Sequence, residues 1–174
     1  KIGQNSRGCK TRANSRGTDY YGMIRLTNAP AVICEGFFVD NATDVKIADT
    51  VAEQQKFGQA YARGILKTLG ITDKGNQKIK RRRMDMAKVY LDPGHGGSDP
   101  GAVKYVTERD VNLVIANACK DYLQANGVSV KMSRTSNITN TSINNMAKEA
   151  NNWGADLVVS IHNNAGGGDG FEVY

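Results

Sequence analysis

The sequence predicts an α/β domain in which one twisted, mostly parallel or mixed sheet is flanked by helices. Three observations carry that expectation. Short apolar runs of strand length alternate with longer segments whose apolar residues recur at helical spacing. The run Leu157-Val158-Val159-Ser160-Ile161 is almost continuously apolar, as in a strand covered on both faces of its sheet. The chain has 174 residues, enough for a single domain to bury a core without disulfide or metal staples.

Ala29-Pro30 leads into Ala31-Val32-Ile33-Cys34, a buried strand expected to end at Glu35-Gly36. From Asp49 to Leu69 the residues Val51, Phe57, Tyr61, Ile65 and Leu69 mark an amphipathic helix, with Gly70 placed to stop it. Ile71 to Met86 is polar and without periodicity, carries turn residues at Asp73-Lys74-Gly75-Asn76, and reads as a linker. Lys88-Val89-Tyr90-Leu91 is a strand broken by Asp92-Pro93-Gly94-His95-Gly96-Gly97, which presents His95 at its carboxyl end. Val111, Val114, Ile115, Ala118 and Tyr122 define a second helix that begins near Glu108 and closes at Asn126-Gly127. Val128, Val130 and Met132 alternate with polar neighbours as a half-buried strand, and a helix from about Ile143 to Trp153 precedes the Leu157 run. That run delivers His162 into the turn Asn163 to Gly168, so Glu35, His95 and His162 all stand where open α/β sheets bind ligands, beyond strand carboxyl ends.

Composition narrows the classes. No apolar run approaches the roughly 20 residues a membrane-spanning helix needs, so no membrane partner is expected. Lysine and arginine exceed acids by six, but five of those charges sit in Lys78-Ile79-Lys80-Arg81-Arg82-Arg83, leaving the remainder at an excess of one. Without interleaved aromatics such a block reads as a solvated run, and a nucleic-acid partner is not expected. Cys9, Cys34 and Cys119 form no C-x-x-C pair and read as small buried hydrophobes. The first residues lack the basic-then-apolar pattern of a secretory signal.

The chain's two histidines, His95 and His162, both follow apolar strands in glycine-rich turns, where a histidine has little packing value. A catalytic zinc commonly takes two histidines and a carboxylate and leaves a fourth position for water, a set this chain can supply. Composition alone does not establish the site. Leu91-Asp92-Pro93-Gly94-His95-Gly96-Gly97, Thr107-Glu108-Arg109-Asp110-Val111-Asn112-Leu113, Ser160-Ile161-His162-Asn163-Asn164-Ala165 and Ala29 to Phe37 resemble the motifs of zinc-dependent N-acetylmuramoyl-L-alanine amidases, the catalytic domains of bacterial autolysins and phage endolysins. The resemblance implies Zn2+ held by His95, Glu108 and His162, with Glu35 as the glutamate that shuttles a proton beside it. It implies peptidoglycan as the partner and the bacterial cell wall as the place of action, reached by secretion or phage lysis. It leaves the oligomeric state open.

The motif order departs from the family's. Residues 1–70 resemble its carboxyl-terminal part and 87–174 its amino-terminal part, with 71–86 as the link, so the chain reads as a permuted domain. In that order the family's further helix between the strand at Gly170 to Tyr174 and the strand around Arg7 to Lys10 is missing. Met146 stands where the family usually carries an arginine. The competing readings are an inactive peptidoglycan-binding module, a zinc peptidase acting on the stem peptide, and a nucleic-acid binder working through Lys78 to Arg83, the last disfavoured by the near-neutral remainder.

Overall fold

Three apolar stretches build the middle of one sheet: β2 (Ala31–Phe38), β3 (Lys88–Pro93) and β5 (Leu157–Asn164). The computed structural model describes residues 5–75, 86–138 and 142–174; the basic block, Lys78 to Arg83, lies outside them. Short strands complete the sheet: β1 (Ser6–Cys9), β4 (Ser129–Met132) and β6 (Phe171–Val173). Their order is β1-β6-β2-β5-β3-β4, and only the β2/β6 pair is antiparallel among the described strands. The sheet is therefore mixed with a parallel centre, as expected. Both sides of the linker contribute to it, since β2 from the first part pairs with β5 from the second.

Helices cover both faces. On one lie α3 (Val51–Thr68) and α4 (Glu108–Ala125), over a core that includes Cys34, Val89, Leu91, Leu157, Val159 and Ile161. On the other lie α1 (Gly22–Leu26) and α5 (Ile143–Trp153), where Met23, Tyr90, Met146, Ala150 and Val158 pack together. A short α2 (Ala42–Val45) follows β2, its first turn capped by the Asn41 side chain. Local chemistry fixes the helix ends: Thr50 and Glu53 form a reciprocal capping box at the start of α3, and Gly154 ends α5 in the left-handed conformation. The periodicity expected for neither α1 nor α2 was visible, because four or five residues are too few to display it.

Several expectations need correction. β2 does not end at Glu35 but runs to Phe38, and β5 runs through His162 to Asn164. The two strands continue to pair beyond the apolar stretch, with Glu35 opposite His162 and Phe38 opposite Asn164, so polar side chains stand on strands rather than after them. Hydropathy alone does not see backbone pairing, which is indifferent to side-chain type. Cys34 and Cys119 are buried as expected, whereas Cys9 is exposed because β1 is an edge strand. The start of the linker is tied down. Asn126 accepts from the Lys74 amide and donates to the Gly75 carbonyl, and the Tyr122 hydroxyl donates to Asp73.

α3 approaches α4 closely at Gly58, where an added Cβ would lie 2.3 Å from the Ile115 carbonyl oxygen of α4 and 2.8 Å from the Cys119 amide nitrogen. Replacing Gly58 by alanine would ordinarily gain about 1 kcal/mol of helix propensity. Here backbone must move, so overpacking of about 1–3 kcal/mol should exceed that gain. Chemical denaturation of Gly58→Ala is expected to show net destabilisation; an unchanged or raised midpoint would refute the close packing of α3 on α4.

Candidate metal centre

Side chains on the α1/α5 face change character along the parallel strands. Successive inward positions read Ile33 then Glu35 on β2, Tyr90 then Asp92 on β3, and Val158, Ser160 then His162 on β5, with Asp92 level with Ser160 and Glu35 level with His162. The amino ends of these strands are thus apolar beneath the helices, and the carboxyl ends are polar. They open into a cleft of about 450 Å³ lined by Glu35, Asp92, His95, Ser160 and His162 on one side and Tyr21, Met23, Ile143 and Met146 on the other.

Of the sequence-predicted residues, His95, Glu108 and His162 converge, their ligand atoms lying within 4.8 Å of one another. His95 Nε2 is 3.1 Å and His162 Nδ1 is 3.0 Å from the same oxygen, Glu108 Oε1. Glu108 is 3% exposed. It reaches the site from the opposite face because α4 begins at the sheet's carboxyl edge. The first turn of that helix is held by the loop before it: the Glu108 amide donates to the Ala102 carbonyl, and Glu108 Oε2 accepts the Ala102 amide at 2.9 Å. Oε1 also accepts the Asn163 amide at 3.0 Å. These bonds orient the carboxylate, which does more than complement a helix dipole.

His95 sits two residues beyond β3 with φ +64°, a left-handed conformation uncommon outside glycine. Its Nδ1 is 2.9 Å from Asp99 Oδ2, which leaves Nε2 facing Glu108 and fixes the ring as carboxylate partners fix metal-ligating histidines. The rings leave no room for neighbouring side chains. A Cβ at Gly94 would lie 2.2 Å from the His162 ring, and one at Gly101 would lie 2.6 Å from both Glu108 Oε2 and the His95 ring.

Electrostatics follow from this packing. Burial would push the Glu108 carboxyl upward, but the two imidazoles hold it well below the usual carboxylate range. The Glu108 hydrogen bond, opposed by partial burial and aided by Asp99, lifts His95 from 6.5 to about 9. Burial lowers His162, yet Glu108 raises it on balance. Glu35 is pushed from 4.5 up to about 6, by burial first, with His162 acting in the opposite sense.

The donor set fits a zinc ion. Donors about 2.1 Å from a tetrahedral zinc stand roughly 3.4 Å apart, so the two histidine–Glu108 pairs, at 3.1 and 3.0 Å, need open only slightly, and the third pair lies within 4.8 Å. The mixed nitrogen and oxygen donors, with a cleft beside them, match a three-ligand centre with an open position.

Sequence reasoning missed the residues that support this cluster. Asn112, fully buried, donates to the Gly94 carbonyl and accepts from Asn163 Nδ2 at 2.7 Å. Asp92 is buried and accepts from Ser133 and Ser160. Arg134 is 2% exposed and donates to backbone carbonyls around the site. The available signal was a polar residue at an inward position of an apolar pattern, which Asn112 and Asp92 show and Arg134, in a loop, does not.

A family described as N-acetylmuramoyl-L-alanine amidase matches residues 1–67 and 89–174. The sporulation-specific N-acetylmuramoyl-L-alanine amidase of Bacillus subtilis (strain 168) is 50% identical over 92 residues, covering 51% of this chain and 36% of that protein. The endolysin of Bacillus phage SPP1 is 44% identical over 89 residues, 49% of this chain and 32% of that protein. A crystal structure of N-acetylmuramoyl-L-alanine amidase from Clostridium difficile 630 is 40% identical over 47% of this chain and 46% of that one, with a TM-score of 0.44. The chain spans about a third of the length of these curated relatives.

The raised histidine values have a sign that can be measured. A cation must displace the proton that His95 holds up to about pH 9 in the metal-free protein. Zinc affinity should therefore climb about tenfold per pH unit for each proton displaced and level off above about 9, with proton release seen by calorimetry. The metal-free fold should behave oppositely. Its His95 contribution to stability is complete below about 6.5 and lost as pH rises through about 9. A zinc affinity independent of pH from 6 to 9 would contradict the pairing of His95 with Glu108.

Proposed function

Because the chain belongs to the N-acetylmuramoyl-L-alanine amidase family, we propose that it hydrolyses the amide between N-acetylmuramic acid and L-alanine in bacterial peptidoglycan, with zinc held by His95, Glu108 and His162 and with Glu35 as proton shuttle. The observation that carries this reading is the meeting of those three donors beside Glu35, at the carboxyl ends of adjacent parallel strands and at the floor of an open cleft. When bound, zinc supplies Lewis acidity and brings the pKa of a coordinated water towards about 7.

The protein's own groups supply the rest. Glu35 lies opposite His162 on the same sheet face and lines the same cleft, where it would take a proton from a water brought to the metal. A carboxyl shifted to about 6 by burial is basic enough to take the water's proton and acidic enough to hand it to the departing L-alanine nitrogen near neutrality. The cation's charge would draw that value down again. His95 Nδ1 and Glu108 Oε2 are held by Asp99 and by the Ala102 amide, so the donors keep their directions as substrate enters. Met23, Ile143 and Met146 give the opposite wall an apolar surface suited to the lactyl and alanyl methyl groups.

The proposal extends to the chain's organisation. Residues 1–70 and 87–174 are read as two parts of one amidase domain in exchanged order, joined through 71–86. This is supported by the two separate stretches that the family matches and by the shared sheet, in which Glu35 on β2 of the first part pairs with His162 on β5 of the second. The cell wall is accordingly the proposed place of action. Among the described residues no helix is long and apolar enough to cross a membrane.

Purified sacculi test the reaction. The wild-type protein is expected to release free L-alanine amino termini, to stop when zinc is chelated, and to carry about one zinc that is lost in His95→Ala and His162→Ala. Glu35→Gln should retain its zinc and lose at least about 100-fold in rate, and the wild-type rate should fall at acid pH as Glu35 is protonated, at a value below about 6 because the cation's charge lowers it. Release of other stem-peptide amino termini, or undiminished turnover by Glu35→Gln, would defeat the assignment.

A further inference from the structure

Arg134 lies in the loop after β4, 2% exposed, and no carboxylate is within ion-pair distance of it among the described residues. Burying a guanidinium without an acid partner is costly unless its N–H groups are satisfied. Here they are, and the acceptors come from the two segments that carry metal ligands. Nε donates to the Pro93 carbonyl at 2.9 Å, and Nη2 donates to the Gly94 carbonyl at 2.9 Å, both immediately before His95. Nη2 also donates to the Arg109 carbonyl at 2.8 Å, immediately after Glu108. On the outer side Nη1 donates to the Ser136 carbonyl at 3.3 Å and to Asn137 Oδ1 at 3.1 Å, which orients the fork from its own loop.

We infer that Arg134 is a positioning residue that sets the separation of His95 and Glu108, and thereby the affinity and geometry of the metal centre. The inference rests on reading the His95, Glu108 and His162 cluster as that centre. Two physical points support it. The His95 turn is strained, with φ +64° at His95 itself, so it needs bonds from outside to hold its shape. Only a planar fork reaches three segments at once; a lysine ammonium at the end of a flexible stem has one nitrogen and cannot span them. Arg109 assists at the far end of the same turn, donating to the Gly97 carbonyl, but it is partly solvated and touches only that one carbonyl of the turn.

The test uses metal-free protein and reads binding instead of turnover. Zinc affinity is measured by competition with a chromophoric chelator, and the visible spectrum of the cobalt(II) form reports ligand geometry. Wild-type binding is the reference; if it is absent, the metal centre itself is refuted and this inference falls with it. Arg134→Lys, which keeps charge and most of the volume, is expected to bind zinc about tenfold or more weakly and to show an altered cobalt spectrum. A role confined to general folding would lower the unfolding midpoint of the metal-free protein while leaving affinity and spectrum as in wild type, and that result overturns the inference. If Arg134→Lys does not fold, Asn137→Ala decides. It removes an acceptor that orients the fork together with the bond from Asn137 Nδ2 to Asp110 Oδ1, so it is read against Asp110→Ala. A roughly threefold loss of zinc affinity beyond that of Asp110→Ala is expected, and a loss no greater than in Asp110→Ala overturns the inference.

Discussion

The Glu108 carboxylate is the constraint on which the rest of the structure depends. It is an anion almost wholly withdrawn from solvent, and such a charge persists only where donors and cations surround it. Two imidazoles, the Ala102 and Asn163 amides and the Asn112 side chain meet that need. Each contact fixes a different part of the chain. His95 fixes the turn after β3, His162 fixes β5, Ala102 fixes the loop before α4, and Asn112 ties the first turns of that helix to the Gly94 carbonyl. A cation in place of the imidazole protons would satisfy the same carboxylate.

The sheet makes that convergence possible. Parallel strands in register bring Asp92 level with Ser160 and Glu35 level with His162, so the polar residues of β2, β3 and β5 form a row two levels deep on one face. Below the row the same face is apolar and is closed by α1 and α5; above it the helices stop and the cleft begins. The opposite face is filled at most of these levels by Leu91, Val159 and Ile161 under α3 and α4, with the buried Asn163 and Asn112 pair at its edge. One face therefore holds the sheet together while the other, near its carboxyl edge, is left free for chemistry.

Much of this was readable before any coordinates. The helix bounded by Thr50 and Gly70, the helix opened by Glu108 and closed at Gly127, and the Leu157 run all carry local signals strong enough to override their surroundings. Glu35 was found but misplaced, because Glu35-Gly36 interrupts the apolar run, which resumes at Phe37, while backbone pairing with β5 continues to Phe38. Cys9 was assigned to the interior on residue type, whereas burial depends on which strand lies at the edge. Arg134 had no sequence signature at all: its role arises from backbone carbonyls of residues 93, 94 and 109, and a carbonyl is the same for every residue type.

The sequence by itself determined the chemistry available. It contains two histidines, each following an apolar run and close to glycines, a glutamate ahead of a helical pattern, and four motifs whose residue types are those of one family. Only the tertiary structure decided that these groups share one oxygen, Glu108 Oε1, across more than 50 residues of chain, and that Glu35 from the other side of the linker stands opposite His162. The reason is physical. Residue type and short-range periodicity are local properties, but the distance between a helix start and two strand ends is set by sheet register and by the packing of α4 on the sheet, which no local pattern encodes.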